Sequence, residues 1–370
     1  MAQGAIFDYL RNPAVTAITV ADCIPAALER MRKRFPDPRL RTAEFDANDG
    51  EQVRRLMGDA DGVFCAVHYG YNLSFAEAAI DTGTHMVDLG GNNDVVADQL
   101  QLSDAAEKAH VSIIPDCGLA PGMVAVLVKW GLERFAWADS VGIRVGGLPL
   151  HPKPPFQYER LFSVEGLINE YVEPPIALRD GKIVTLEPLG DIETVEFDAP
   201  VGVLEAFNTS GGVSTLPDSF GSRVANLDYK TLRYPGHAAV MQYIYHLGLF
   251  SSEPVKVGAT KIAPRAVTAH CIVSQIPEGV EDMTVVRVEF RGTENGAVRR
   301  HQVDIIDEYD AANRLTSMMR MTAFPAAIVS QMQCDGRIPH MGVLPQEKCV
   351  DARGFVAELQ KRDIRMKGVD

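Results

Sequence analysis

The feature that most restricts the fold is a regular alternation of helix-like and strand-like segments across residues 1–120. Ala2 to Leu10 reads as a helix, and Val15 to Val20 as a strand closing on Asp22. Ile24 to Phe35 and Gly50 to Met57 read as helices on either side of a short strand, Leu40 to Phe45, that ends at Asp46. Gly62 to Val67 is a buried strand, Ser74 to Thr82 a helix, and His85 to Leu89 a strand running into Gly90-Gly91. Ser103 to Ala109 is helical, and Val111 to Ile114 is the last strand of the series. Strands that alternate with helices are joined by crossovers, which make the strands parallel and cover both faces of their sheet. The expected class is α/β with a doubly wound parallel sheet.

Ligands of such sheets sit at the carboxyl ends of the strands, so the polar strand tips matter most. An acid at the end of the second strand of a Rossmann unit takes the ribose 2′-OH of NAD and repels the 2′-phosphate of NADP. Asp22 occupies such an end. The glycine fingerprint belongs about 20 residues earlier, and counting back from Asp22 lands on Ala2. Met1-Ala2 then reads as the tail of a G-x-G-x-x-A fingerprint whose strand and first two glycines would lie upstream. On that reading the sheet has two unpaired edges, and part of the pyrophosphate site at the first helix is cut away. An internal start, a truncation or another element in the gap would each account for it. The plain alternative for Asp22 is an ordinary strand-end acid.

The stretch Val111 to Met123 reads as a hinge. Its strand ends in Pro-Asp-Cys-Gly, turns through Leu119-Ala120-Pro121-Gly122 and enters a helix-like segment, Met123 to Phe135. Beyond it the pattern changes to strands and loops. Val141 to Val145 is strand-like and runs into Gly146-Gly147, Leu148 to Pro155 is a Pro-rich loop or linker, and Val184 to Phe197 is polar and poorly periodic. Val285 to Phe290 and Val298 to Ile306 suit an antiparallel pair with its turn at Glu294-Asn295-Gly296, and Ala323 to Gln333 an apolar helix. This half reads as α+β, and 370 residues suit two domains rather than one core.

The net charge of −13 argues against nucleic acid and anionic membrane as partners. No apolar run approaches the roughly 20 residues of a membrane span, and the start, MAQGAIFDYLRN, lacks the basic region of a signal peptide. Cysteines at 23, 65, 117, 271, 334 and 349 form no CxxC pair. Neither a metal site nor a disulfide framework is expected, and a reducing cytoplasm is the default compartment.

Three stretches are too unusual to be packing alone: Phe162-Ser-Val-Glu-Gly-Leu-Ile-Asn-Glu-Tyr171, Glu205-Ala-Phe-Asn-Thr-Ser-Gly-Gly212 and Tyr229-Lys-Thr-Leu-Arg-Tyr-Pro-Gly-His237. With the hinge, they resemble the saccharopine dehydrogenase-like family, in particular its L-lysine 6-dehydrogenase branch, from Ala2 to about residue 350. The resemblance implies a dinucleotide-binding Rossmann domain over 1–122, an α+β substrate and dimerisation domain over 123–316, and a helical segment, 317–370, returning to the first domain. It implies NAD-dependent oxidative deamination of lysine at the ε-carbon, giving the 6-semialdehyde, which cyclises to a piperideine carboxylate. A homodimer or higher homo-oligomer is expected. Saccharopine reductases carry G-L-D-P-G at the hinge; here the run is Gly118-Leu-Ala-Pro-Gly122, and Ala120 removes a carboxylate, which favours the lysine branch.

Such a reaction needs a carboxylate holder and a proton acceptor, while the cofactor carries the hydride. Arg233 suits the α-carboxylate because guanidinium binds it bidentately. Thr209 and Ser210 offer further donors, Lys230 and His237 flank Arg233 and enrich the positive field, Tyr69 and Tyr71 suit the walls of the cleft or its chemistry, and Tyr69 and Tyr171 are assigned to the substrate. Asp116, Glu165 and His68 are the candidate bases. Asp22 and Ala2 are assigned to the cofactor, with Asp46 and Ala47 beside adenine, Ala66 and Val67 under it, and Asp88, Gly90 and Cys117 near the nicotinamide. The plain alternatives are surface ion pairs around Arg233 and an inert core thiol at Cys117. A reductase joining an amine to an aldehyde, or a Rossmann-derived metabolite-binding protein without catalysis, are the competing functions.

Overall fold

The computed structural model describes residues 1–294 and 296–369; Asn295 of the expected turn lies outside the described residues. The first third runs α1 (Ala2–Arg11), β1 (Ile18–Asp22), α2 (Pro25–Arg34), β2 (Leu40–Glu44), α3 (Gly50–Gly58), β3 (Gly62–Cys65), α4 (Asn72–Thr82), β4 (His85–Asp88), α5 (Asn93–Leu100), α6 (Ser103–Lys108) and β5 (Ser112–Ile114). A short turn of π-helix, Leu119–Met123, leads into α7 (Val124–Leu132). There follow β6 (Trp137–Pro149), α8 (Val164–Val172), β7 (Ile176–Arg179), β8 (Lys182–Thr185), β9 (Glu193–Glu196), β10 (Val203–Asn208), α9 (Leu216–Phe220), β11 (Val224–Arg233) and α10 (His237–His246). The chain continues with β12 (Val255–Val257), β13 (Thr260–Ile262), α11 (Pro264–Gln275), β14 (Asp282–Glu294), β15 (Ala297–Glu308) and α12 (Ser317–Cys334). It closes with β16 (Gly342–Val343), α13 (Gln346–Cys349), α14 (Ala352–Lys361) and β17 (Met366–Lys367). None of these helices is long and apolar enough to cross a membrane.

Two compact units result. The first joins Met1–Leu127 to Met319–Asp363, and the second joins Val128–Met318 to the chain from Ile364 onward.

The first unit holds the parallel strands. β1 pairs with β2, Ile18 opposite Leu40 and Asp22 opposite Glu44. Separately, β3, β4, β5 and β16 form a parallel sheet in that order. Among the described residues, β1 and β3 each pair along one edge only. β1 begins at Ile18 rather than Val15, because Arg39 binds the carbonyls of Leu10, Asn12 and Val15 and holds that segment as a loop. α5 was not expected from its mixed sequence; Asn92 caps it by accepting from Val95 N at 3.1 Å. Beneath the strands, Phe45, Val53, Met57, Phe75, Met86 and Ile113 form a continuous core, where burial supplies most of the driving force.

The second unit is built on a mixed nine-stranded sheet. Its main order is β17-β15-β14-β6-β11-β10-β9, with β7 and β8 branching from β11. The expected β14–β15 hairpin is present, with Glu294 opposite Ala297 and Gly296 at φ +79. β6 is 13 residues long where only Val141 to Val145 reads as strand. Its neighbours explain the extension, since β14 pairs with it antiparallel and β11 parallel. α12 begins at Ser317, ahead of Ala323, because Asp282 accepts from Ser317 N at 2.6 Å and from Met318 N at 2.8 Å. That cap comes from 35 residues away, so no local signal marks it. Tyr158, Leu167, Ile168, Tyr171, Phe207 and Met241 close a second core over β10. Among the described residues β12 and β13 pair only with each other, all six of their residues are exposed, and Lys256 stands opposite Lys261.

Gly90 marks the tightest point of the first unit. Its φ is +69, and a Cβ there would lie 1.6 Å from Asp116 Oδ1. Gly90→Ala is expected to lower unfolding free energy by about 2 kcal/mol or more, read as a lower urea midpoint at unchanged slope. An unchanged midpoint would show that Asp116 moves aside freely.

Candidate active site

The strand tips of the first unit hold most residues assigned to the cofactor. Asp22 ends β1; its Oδ1 accepts from Ile24 N at 2.8 Å, and Oδ2 is open among the described residues. That free oxygen is the right acceptor for a ribose hydroxyl. Asp46 is exposed after β2, and hydrogen bonds from Asn48 N and Nδ2, each 2.9 Å, hold its carboxyl below the usual range. Ala47 packs on the core instead. Ala66, Val67 and His68 form an exposed loop after β3, where His68 Nδ1 accepts from Gly70 N at 3.1 Å and its ring lies 4.2 Å from that of Tyr69. Ala2 is half-buried at the start of α1. An open acid at β1 and an exposed apolar loop at β3 fit the ribose and adenine of a nicotinamide dinucleotide.

Two other assignments in this unit need correction. Asp88 is fully buried and both its oxygens are used internally: Oδ1 accepts from Gly90 N at 2.7 Å and Asp116 N at 3.1 Å, and Oδ2 from Gln99 Nε2 at 2.9 Å. Burial raises its carboxyl while those donors oppose the shift. Asp88 ties β4 to the turn after β5 and offers nothing to a ligand. Cys117 is likewise fully buried, its thiol held well above the ordinary value by burial and then by Asp88, so it is inert. Asp116, at φ +59, is buried against Gly90, and its carbonyl accepts from Gln346 Nε2 at 2.7 Å.

The second unit centres on Arg233, the last residue of β11, 3% exposed. Alternation along the strand puts Tyr229, Thr231 and Arg233 on one face and Asp228, Lys230 and Leu232 on the other. Lys230 therefore does not flank Arg233. Its Nζ meets Asp191 Oδ2 at 2.8 Å and Glu193 Oε2 at 3.3 Å, in a row of charges that continues through Arg144, Asp228 and Arg179. His237 adds no positive charge either. Its Nδ1–H donates to Phe156 O at 3.0 Å, so Nε2 accepts from the Tyr171 hydroxyl at 2.9 Å. Burial, then the neighbouring Arg233, push its pKa down to about 3.

Around Arg233 stand Tyr158, whose ring lies 5.2 Å from the guanidinium carbon, Tyr171 and Glu170. Arg233 Nη1 donates to Leu232 O at 2.9 Å, while Nε is buried with no partner among the described residues. An orphaned buried donor costs about 1–3 kcal/mol and calls for a ligand or water. Thr209 is satisfied by Thr231 at 2.7 Å. Ser210 donates its hydroxyl to Asn169 O and to Glu173, and its N–H to Glu170 O at 3.1 Å, so both stabilise the wall. Glu165 faces away: it is exposed and bound by Arg265 at 2.6 Å.

Glu170 is the residue that the sequence reading missed. It lies in the same motif as Glu165, on the opposite flank of the buried stripe Val164-Leu167-Ile168-Tyr171. Helical phase places both acids at the stripe's margins, and only the β11 register decides between them. Burial raises the Glu170 carboxyl to about 7, with Arg233 opposing. A carboxyl raised in the folded state favours folding below its unfolded value of 4.5, and that contribution is lost as pH rises toward 7. Glu170→Gln is expected to flatten the decline of stability between pH 4.5 and 7 relative to the parent chain. Denaturant melts at several pH values measure it, and parallel pH profiles would refute the shift.

The chain matches a family model described as the saccharopine dehydrogenase NADP binding domain over residues 1–114. A second, the saccharopine dehydrogenase C-terminal domain, matches residues 118–364. The mitochondrial alpha-aminoadipic semialdehyde synthase of Rattus norvegicus is 22% identical over 263 residues, covering 68% of this chain and 28% of that protein. Saccharopine dehydrogenase [NADP(+), L-glutamate-forming] of Schizosaccharomyces pombe is 26% identical over 121 residues, 33% of this chain and 27% of its own. The chain thus spans less than a third of the length of these curated relatives. Apo saccharopine dehydrogenase (L-Glu forming) from Saccharomyces cerevisiae has the same fold, with a TM-score of 0.80 at 18% identity, covering 100% of this chain and 97% of that one. With a nicotinamide-dinucleotide domain followed by the family's C-terminal domain along nearly its whole length, the chain belongs to the saccharopine dehydrogenase family.

Proposed function

We propose that the protein oxidatively deaminates the ε-amine of L-lysine with NAD, yielding the 6-semialdehyde, ammonium and NADH. The observation that carries the reading is the buried guanidinium of Arg233 with an unpartnered Nε, a binding point for a substrate carboxylate. When bound, NAD supplies the hydride acceptor for the ε-carbon. The remaining work belongs to the chain: Arg233 holds the carboxylate, and Tyr158 and Tyr171 exclude water around it. Oxidation of the ε-ammonium to an iminium releases one proton, and water then displaces ammonium from the iminium. Asp116 and His68, at the ends of β5 and β3, are the proposed proton acceptors of the first unit.

Asp22 supports NAD over NADP, although the matched domain is named for NADP. A carboxylate with a free oxygen repels a 2′-phosphate. Ala120, half-buried in the π-turn, supports lysine over a longer, more highly charged substrate. The relatives' names favour a second reading, a reductase that joins an amine and an aldehyde as a saccharopine-type product.

NADH formation with NAD and L-lysine tests the first reading directly. Formation of a secondary amine from an amine and an aldehyde, with oxidation of NADH or NADPH, would establish the second instead. Asp22→Ser is expected to shift the NAD-to-NADP ratio of kcat/KM toward NADP by roughly tenfold or more; an unchanged ratio would remove Asp22 from cofactor selection.

A further inference from the structure

Among the described residues, Nε on the side-on edge of the buried Arg233 guanidinium has no hydrogen-bond partner. Nη1 is committed to Leu232 O, Nε has no partner, and Nη2 reaches Glu170 Oε2 only at 3.9 Å. Nε and Nη2 are the parallel donors that a carboxylate takes bidentately. Glu170 stands at the Nη2 end of that edge with 32% of its side chain open. The 3.9 Å separation exceeds a hydrogen bond, so the two charges attract without closing on each other. A lone carboxylate on the fork would meet Glu170 as a like charge. A carboxylate with an ammonium on the adjacent carbon would bring a cation to the same place.

We infer that Arg233 and Glu170 together form a receptor for the head group of an α-amino acid, Arg233 taking the α-carboxylate and Glu170 the α-ammonium. The inference rests on the amino-acid dehydrogenase reading and names the residue that makes the site prefer an amino acid to a simple acid. The neighbouring charges leave the role to Glu170. Glu205 is engaged by Gly236 N at 2.9 Å and Ala238 N at 2.6 Å, Glu173 by the Ser210 hydroxyl, and Lys230 lies on the other face of β11. The hydrogen bond from Ser210 N to Glu170 O fixes the end of α8, so the carboxylate's position is held from behind.

Calorimetric titration of the full chain tests this with two ligand pairs that differ only in the α-amine: L-lysine against 6-aminohexanoate, and L-glutamate against glutarate. The parent chain should bind the amino acid of a pair at least about tenfold more tightly than its deamino partner. Glu170→Gln should erase that preference while leaving the deamino ligand within about twofold, and Glu170→Asp should restore part of it. Arg233→Lys should weaken both members together, since it loses the fork but keeps the charge. Retention of the preference in Glu170→Gln, or equal loss for both members, overturns the receptor. A preference that appears only in the glutamate pair, and is erased by Glu170→Gln, upholds the receptor while refuting lysine as substrate. Binding of neither pair by the parent chain overturns both.

Discussion

The second unit depends on one constraint: β11 is buried on both faces and carries charge on both. Toward one side it sends Arg233 into a shell of Tyr158, Tyr171 and Glu170. Toward the other it sends Asp228 and Lys230 into a row of partners from β6, β7 and β9. Buried ion pairs gain little net stability, because desolvation offsets their attraction. What they supply here is register. A slip of one residue would exchange the faces of Arg233 and Lys230 and part each from the partners it now meets. The arrangement of Arg233 and its neighbours is thus inherited from the pairing of β11 with β6 and β10.

The first unit solves a different problem, how to hold strand tips apart with backbone that strands cannot satisfy. Asp88 does most of it, gathering the N–H groups of Gly90 and Asp116 and the side chain of Gln99. An acid at a strand tip invites assignment to a ligand, and Asp22 and Asp88 are indistinguishable by that criterion. Exposure separates them. Asp22 is half-buried, whereas Asp88 lies wholly inside, beneath the turn it organises.

Much of the helix and strand order was legible because it rests on local patterns: α1 to α4, β2 and β4 follow periodicity and turn residues closely. The parts that were not legible rest on distant partners. β6 extends because β14 and β11 lie beside it, and α12 starts early because Asp282 reaches it from another strand. Among the site residues, the wrong side of Lys230 was readable in principle, since period two separates it from Arg233. The neutrality of His237 was not, because it follows from burial beside a cation. Glu170 and Glu165 flank one helical stripe symmetrically, so only the tertiary structure tells them apart.

The hairpin of β12 and β13 has a consequence for handling the molecule. Two strands without a third are marginal in water, and here two lysines face each other across the pair. Every residue of it is open to solvent. A protease that cuts after lysine therefore meets accessible, weakly protected peptide bonds at Lys256 and Lys261, ahead of those inside the nine-stranded sheet. Limited digestion would divide the chain between α10 and α11 while the strands on either side stay paired, making this hairpin the natural place to nick the protein or to insert a tag.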